Sequence, residues 1–418
     1  MNEPRRDFEI VVVGGGPAGL AAACAASENS RSVALVDDTP WLGGQIWRGQ
    51  QARPEKPQAR HWLDRFNRSG VTLLGQTTVL GSPRPGWLMT ETESGSQLIG
   101  YQRLILATGA RELFLPFPGW TLPGVIGPGG LQSLVKHGWP IDGKRVVIGG
   151  SGPLLLAVAA GLRQHGTKVT LIAEQAPRSK VARFALTLVK HPAKLHQAIH
   201  LRFGLAGVPY RCGVWPVRAD GAESVRSVTL TDGHRTWVEP CDLFACGFGL
   251  VPNVELALAL GCNLQNDFVA VDNFQATTVP GIYCAGEPTG IGGADHALLE
   301  GQVAGYAASN QRPRAEALFR QRSAGYRFRA ELAATFALRA ELKLLAADDV
   351  VVCRCEDVTF ERLRPFSSWR DAKLQTRCGM GSCQGRVCGA AAKVMLGWGM
   401  ESVRPPVLPA RVASLIAS

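Results

Sequence analysis

The stretch FEIVVVGGGPAGLAAACAA, from Phe8, returns as KRVVIGGSGPLLLAVAAGL, from Lys144, and the two align without a gap. Each reads as a short β-branched strand, a glycine turn and an apolar helix, and each is followed by a further strand, SVALVD or KVTLIAE. In the first copy Gly14-x-Gly16-x-x-Gly19 opens the helix and Asp37 ends the next strand. The first glycine permits the tight turn, the second lets backbone approach a pyrophosphate, and the third lets helix and strand pack closely. The helix N-terminus faces the phosphates, and Asp37 can accept from a ribose hydroxyl. With a strand before it, a helix after it and an acid at this distance, the triplet predicts dinucleotide binding. The second copy keeps Gly150 and Gly152, but Leu155 stands where the third glycine belongs. Leucine is expected to hold the helix off the strand and narrow the phosphate approach, whereas Glu174 still offers a ribose acceptor. An occupied second nucleotide site and a unit kept only for packing both stay open.

A duplicated unit of this kind predicts an α/β chain with two Rossmann-like domains. Between the copies, RLILATGARELFLPFPGW is a buried strand ending at Thr108 and Gly109. After the second copy, LFACGFGLVPNVEL and GIYCAGEPTGIGGADHALLEGQVAG return the chain to the first domain. The latter reads as a strand, a turn at Gly286-Glu287, a glycine-rich loop and a helix from about Asp295. The first domain is thus expected at 1–115 and 245–310, with the second inserted at 116–244. Residues 311–350, including RAELAATFALRAELKLLA, read as an amphipathic helical connector, and 351–418 as a cysteine-bearing domain.

The net charge is +11. The arginines are scattered, without an aromatic-and-basic stripe, so nucleic acid is not an expected partner; an anionic cofactor or an acidic partner fits the charge better. No apolar run has transmembrane character. The twin arginine at the N-terminus mimics a signal peptide, but acids interrupt it and the apolar stretch carries the glycine fingerprint. The expected compartment is the cytoplasm, where free thiols are ordinary. Peripheral association with the inner membrane through an electron acceptor is left open.

Read in order, ATGARELFLPFPGWTLPGV, GGSGPLLLAVAAGL, CRCEDVT and GMGSCQGRVC make the chain resemble the FAD-binding α subunits of bacterial amine and imino-acid dehydrogenase complexes. These are two-dinucleotide-binding-domain flavoproteins of the opine oxidase, hydrogen cyanide synthase and D-hydroxyproline dehydrogenase type. The resemblance implies FAD held by Gly14, Gly16, Gly19, Asp37, Gly44, Gln45, Thr108, Gly109, Gly286 and Glu287. It implies a nicotinamide nucleotide, or ATP as in some relatives, at Gly150, Gly152 and Glu174. A partner β subunit with its own flavin would oxidise the substrate C–N bond, a small γ subunit can accompany it, and some relatives hold FMN between subunits. The chain itself would relay electrons, and no catalytic acid or base stands out in it.

The C-terminal segment holds five thiols, CRCE at Cys353 and Cys355, and CGMGSCQGRVCG at Cys378, Cys383 and Cys388. That is one too many for a four-ligand site. The resemblance extends to bacterioferritin-associated ferredoxin, a 2Fe–2S carrier, and implies Cys353, Cys355, Cys383 and Cys388 as ligands with Cys378 spare. The chemistry suits the expectation: C-x-C puts two thiolates on one loop, glycine N–H groups can approach cluster sulfurs, and AAAKVMLGW reads as a helix whose N-terminus favours negative charge. The last pair is spaced C-x4-C rather than the C-x2-C of the free ferredoxin, and zinc suits four cysteines equally by count.

The other six cysteines read as structural. No C-x-x-C lies in either nucleotide unit, which argues against a disulfide reductase. His191, His196 and His200 have helical spacing but no acidic or thiol neighbours, and read as a surface helix; His296, at a helix start, reads as structural. Two alternatives to the relay are a self-contained NAD(P)H-dependent flavin reductase passing electrons through the cluster, and a scaffold with a structural zinc tail.

Overall fold

The computed structural model describes residues 5–30, 32–51, 56–399 and 403–416. The chain forms two compact units: residues 1–111, 252–329 and 402–418 make one, and residues 112–251 and 330–401 the other.

The first unit is built on a seven-stranded sheet. Strands β1 (Arg5–Val13), β2 (Val33–Val36), β3 (Thr72–Leu74), β4 (Thr78–Gly81), β5 (Trp87–Thr92) and β6 (Gly95–Leu106) lie in the order β3-β2-β1-β6-β5-β4. The strand Ile282–Cys284 pairs in parallel with the end of β6. The run β3-β2-β1-β6 is parallel, and its register sets Val13 beside both Val36 and Leu106. The four carboxyl ends, Leu74, Val36, Val13 and Leu106, therefore open on one edge, where an open parallel sheet binds its ligands. Helix α1 (Pro17–Ser27) crosses this sheet with every residue from Pro17 to Ala26 buried. Small residues make that possible. The helix Ala294–Ala308 lies on α1 so closely that a Cβ at Gly301 or Gly305 would strike the carbonyl of Ala18 or Ala22. The C-terminal residues return to this unit, with Val407 N–H donating to the Leu80 carbonyl (2.8 Å).

The second unit holds a five-stranded parallel sheet, in the order Tyr210–Cys212, Lys168–Glu174, Arg145–Gly150, Leu243–Gly247, Val125–Ile126. The three central strands are buried along nearly all their length, as a sheet covered on both sides requires. A three-stranded antiparallel sheet, 215–240, follows. In the cysteine-bearing part, Val351–Cys353 pairs with Val358–Thr359, and the helices Trp369–Thr376 and Cys388–Leu396 surround a core of Val352, Leu363, Trp369, Ala392 and Trp398. Ser368 caps the first of these helices through the Asp371 N–H.

The connector departs from a single amphipathic helix. It runs as Arg312–Glu316 and Phe319–Thr335, stops, and resumes as a short 3-10 turn at Ala340–Leu344. The break at 336–339 has a local cause. Ser151 Oγ donates to the Phe336 carbonyl (3.0 Å), Gln175 Nε2 donates to the Ala337 carbonyl (3.2 Å), and Gln175 Oε1 accepts from Arg339 N–H (3.1 Å). Two buried polar side chains thus take backbone groups that a helix would have used itself.

Candidate functional site

The first glycine turn is a cradle assembled from four segments. Gly14 sits at φ +109°, with the Ala107 carbonyl where a Cβ would go, so glycine is required twice over. A Cβ at Gly19 would collide with the Gly14 carbonyl, which is the close approach of helix to strand that the third glycine serves. Gly16 caps α1 with no side chain over its N–H groups, and its own Cβ position is open. These features fit a pyrophosphate laid across a helix N-terminus.

Gly43 N–H donates to the Gly15 carbonyl (2.8 Å), and a Cβ on Gly44 would lie 3.0 Å from Gly16 Cα. The Gly43-Gly44-Gln45 loop therefore rests on the turn, with Gln45 exposed. On the other side Ala107 N–H bonds the Val13 carbonyl (2.8 Å). Thr108 Oγ1 donates to the Asn253 carbonyl (2.6 Å), and Asn253 N–H to the Gly109 carbonyl (3.0 Å). Gly286 packs on Ala18 at the start of α1. All ten residues expected at FAD thus lie on segments that meet around this turn or the start of α1.

Asp37 is the exception in orientation. Its carboxylate accepts from Gly15 N–H and from Thr39 N–H (2.8 Å), so it braces the turn rather than standing free for a ribose. Glu287 has one oxygen on Gly293 N–H (3.2 Å) and the other, Oε2, buried without a hydrogen-bond partner. Burial pushes its carboxyl up to about 7. Nearby, Glu300 Oε2 accepts from Gly286 N–H (2.8 Å) and Thr289 Oγ1 (2.7 Å). Its other oxygen lies 3.0 Å from His296 Nε2, and Tyr326 meets the His296 ring edge-on. This buried polar group was not singled out by sequence reasoning beyond His296; the i, i+4 spacing of His296 and Glu300 is its one sequence signal.

The second turn is shaped differently. Glu174 is fully buried, with its two oxygens on Gly152 N–H (2.7 Å) and Ala176 N–H (2.8 Å). Burial pushes its carboxyl up to about 7. Gln175 and Ala176 have no exposure, and the 336–339 segment lies over Ser151 and Gln175. Phe184 packs edge-on against Phe336 (5.5 Å). The edge on which Glu174 is expected to meet a ribose is therefore closed by the chain itself. Leu155 is buried in the core of Ile148, Val158 and Leu162, and the helix begins at Leu154.

The thiols fall into two groups. The sulfurs of Cys353, Cys378 and Cys388 lie within 4.8 Å of one another, all buried. Cys355 is exposed and packs against Gly381, and Cys383 is half-buried on the same glycine loop. Cys378, set aside as spare by the sequence reading, is thus part of the buried group, because the left-handed residues Arg377 and Gly379 turn its side chain inward. Hydrogen bonds from Cys378 and Cys388 pull the Cys353 thiol well below the usual thiol range, and the same contact with Cys353 pushes Cys378 up. A thiolate stabilised by two thiol donors is a ready metal ligand. Three close sulfurs with two more on an adjoining loop fit a thiolate-bound metal centre.

The remaining cysteines behave as packing. Burial raises the thiols of Cys24, Cys241, Cys246 and Cys284. His196 and His200 lie on the helix Pro192–Gly204, which buries no residue, and the cysteine triad is the only metal-competent group among the described residues.

The chain is 33% identical to an opine oxidase subunit from Rhizobium meliloti, covering 96% of this chain and 97% of that one. It is 30% identical to hydrogen cyanide synthase subunit HcnB of Pseudomonas protegens, covering 90% and 89%. Among solved structures it resembles the L-proline dehydrogenase of P. horikoshii, with TM-score 0.69 at 20% identity over 99% of this chain and 80% of that one. It also resembles T. acidophilum thioredoxin reductase, with TM-score 0.55 at 22% identity over 73% and 98%. The family model described as pyridine nucleotide-disulphide oxidoreductase matches residues 8–301. With two Rossmann-type units and an open first glycine turn, the chain belongs to that family and is a flavin-dependent oxidoreductase.

Proposed function

We propose that the chain is the electron-transfer α subunit of a flavin-dependent dehydrogenase complex that oxidises a C–N bond of an amino acid, imino acid or opine. The observation that carries this is the pairing, in one chain, of an open FAD-type glycine turn with a buried cluster of thiols. Likeness to the Rhizobium meliloti opine oxidase subunit over nearly its whole length supports it. FAD would lie on Gly14, Gly16, Gly19, Gly44, Gln45, Thr108, Gly109, Gly286 and Glu287, with Asp37 bracing the turn. FAD would exchange electrons with the partner β subunit, and a 2Fe–2S cluster would carry them singly; the protein places these groups and tunes their potentials. FMN held against a partner and a γ subunit belong to the same reading. The complex is cytoplasmic in this reading.

The cluster ligands are Cys353, Cys355, Cys383 and Cys388, and Cys378 is a thiol donor to Cys353. Hydrogen bonds to ligand sulfurs tune a cluster's potential. Cys378→Ala then keeps the iron and shifts the reduction potential. Loss of iron in that variant makes Cys378 a ligand, and zinc without labile sulfide in the wild type makes the site structural.

The central test is the purified chain. It should carry FAD, give an electron paramagnetic resonance signal on reduction, and leave opines, glycine and hydroxyproline unoxidised until its partner is added. Oxidation by the chain alone would overturn the reading. Similarity to Rhodococcus erythropolis rhodocoxin reductase (29% identity over 67% of this chain) favours a second reading, a self-contained NAD(P)H-dependent reductase. Rapid bleaching of the flavin on mixing with NADH would select it.

A further inference from the structure

From Gln175 to Ala219 the sequence contains no Asp or Glu. This stretch forms a helical hairpin, Arg178–Thr187 and Pro192–Gly204, joined through the turn Leu188–Lys190. An ordinary surface helix turns an apolar stripe inward. Here that inward stripe is thin: among the large apolar side chains only Phe184, Leu188 and Leu205 are fully buried, with Val181, Leu195 and Leu201 half-buried. Four further apolar side chains point out: Phe203 is 76% exposed, Leu186 74%, Val189 69% and Ile199 47%. Ile199 and Phe203 are one turn apart, so they share a face. The same two helices and their turn carry the exposed Arg178, Lys180, Arg183, Lys190 and Arg202.

Apolar side chains in water are unfavourable unless something covers them, and a large contiguous exposed patch marks an interaction site. Two features identify the cover. Lysine is depleted in the buried centres of protein interfaces, yet here it is interspersed with the apolar residues. Basic residues with Phe and Leu, and no acid, are what a helix lying in the boundary of an anionic bilayer carries: the apolar groups enter the headgroup region and the long basic chains reach lipid phosphates.

We propose that the 178–204 hairpin is a membrane-docking face that binds an anionic lipid surface through Leu186, Val189, Ile199 and Phe203 together with its lysines and arginines. The proposal is independent of the electron-relay reading.

The test is co-sedimentation of the full chain, with its bound cofactors, with vesicles of phosphatidylcholine alone or of phosphatidylcholine and phosphatidylglycerol. The chain should pellet with the phosphatidylglycerol vesicles, stay in solution with neutral ones, and come off in high salt. Lys190→Gln with Arg202→Gln should weaken binding about twenty-five-fold, at about five-fold per charge. Leu186→Ser with Phe203→Ser should weaken it further without changing the melting temperature, since both positions are exposed. No pelleting, equal pelleting with neutral vesicles, or full binding by both variants overturns the proposal. Loss of a protein partner from the variants, with no vesicle binding by the wild type, also overturns it and makes the face a protein interface.

Discussion

The two glycine turns descend from one pattern and have been finished in opposite ways. In the first, glycine at position 19 lets α1 settle onto the sheet, the carboxylate of Asp37 braces Gly15, and Gly16 leaves the helix N-terminus open. In the second, Leu155 fills the same place with core, Glu174 is spent on Gly152 and Ala176, and a strap of backbone from Phe336 to Arg339 is tied down by Ser151 and Gln175. The difference is one of allocation. Each unit has helix N–H groups, a turn and an acid that braces it, but only the second carries a strap over the end of its next strand. A fingerprint thus reports the backbone path, and the burial of its neighbours decides whether a ligand can use it.

The comparison breaks most sharply if the first turn is given the second turn's residue. Gly19→Leu puts a side chain into the Gly14 carbonyl, so the variant is expected to purify without flavin, read by absorbance and by added FAD failing to raise its melting temperature. Gly16→Ala, where the Cβ position is open, is the control that should still fold. Flavin retained at wild-type occupancy in Gly19→Leu would mean that close helix–strand packing is not what the site needs.

The reciprocal change should fail to open the second site. Leu155→Ala removes a side chain that is 1% exposed and is expected to cost about 2–5 kcal/mol in denaturant unfolding of the second unit. NADH titration of the same variant should show no gain in binding, because Gln175 and Ala176 remain covered. A gain would show that Leu155, rather than the strap, closes the turn.

Much of this architecture is legible in the sequence, and the reasons are local. Both strand–turn–helix units follow from glycine spacing and β-branched runs, and the return of GIYCAGE to the first unit follows from its strand-like pattern. The strap is not legible. RAELAATFALRAELKLLA has a continuous helical pattern, and what breaks it is Ser151 and Gln175, far away in the chain. The place of Cys378 is hidden for the same kind of reason, since left-handed backbone at a non-glycine residue, Arg377, carries no strong sequence mark. The close contact of α1 with Ala294–Ala308 is partly readable, because Gly301 and Gly305 are one turn apart and small residues at that spacing allow helices to approach.

The smallest effect is read at the second turn, from the pH dependence of stability that Glu174 imposes. Burial raises the Glu174 carboxyl from 4.5 to about 7, so the folded chain holds its proton where the unfolded chain has released it. The resulting stability is fully present below pH 4.5 and is lost as pH rises to 7, amounting to about 3 kcal/mol at most. Glu174→Gln cannot release a proton, so its stability should lack this fall. The amide places an N–H against one of the two backbone donors, Gly152 N–H or Ala176 N–H, so the variant should be less stable by about 1–3 kcal/mol at low pH. The slope therefore carries the information, and the level does not. Denaturant midpoints of the two proteins, followed from pH 4.5 to 7, should converge as pH rises. Parallel curves would mean that Glu174 is ionised throughout, and that the second turn keeps its acid in a state able to accept from a ribose once the strap is displaced.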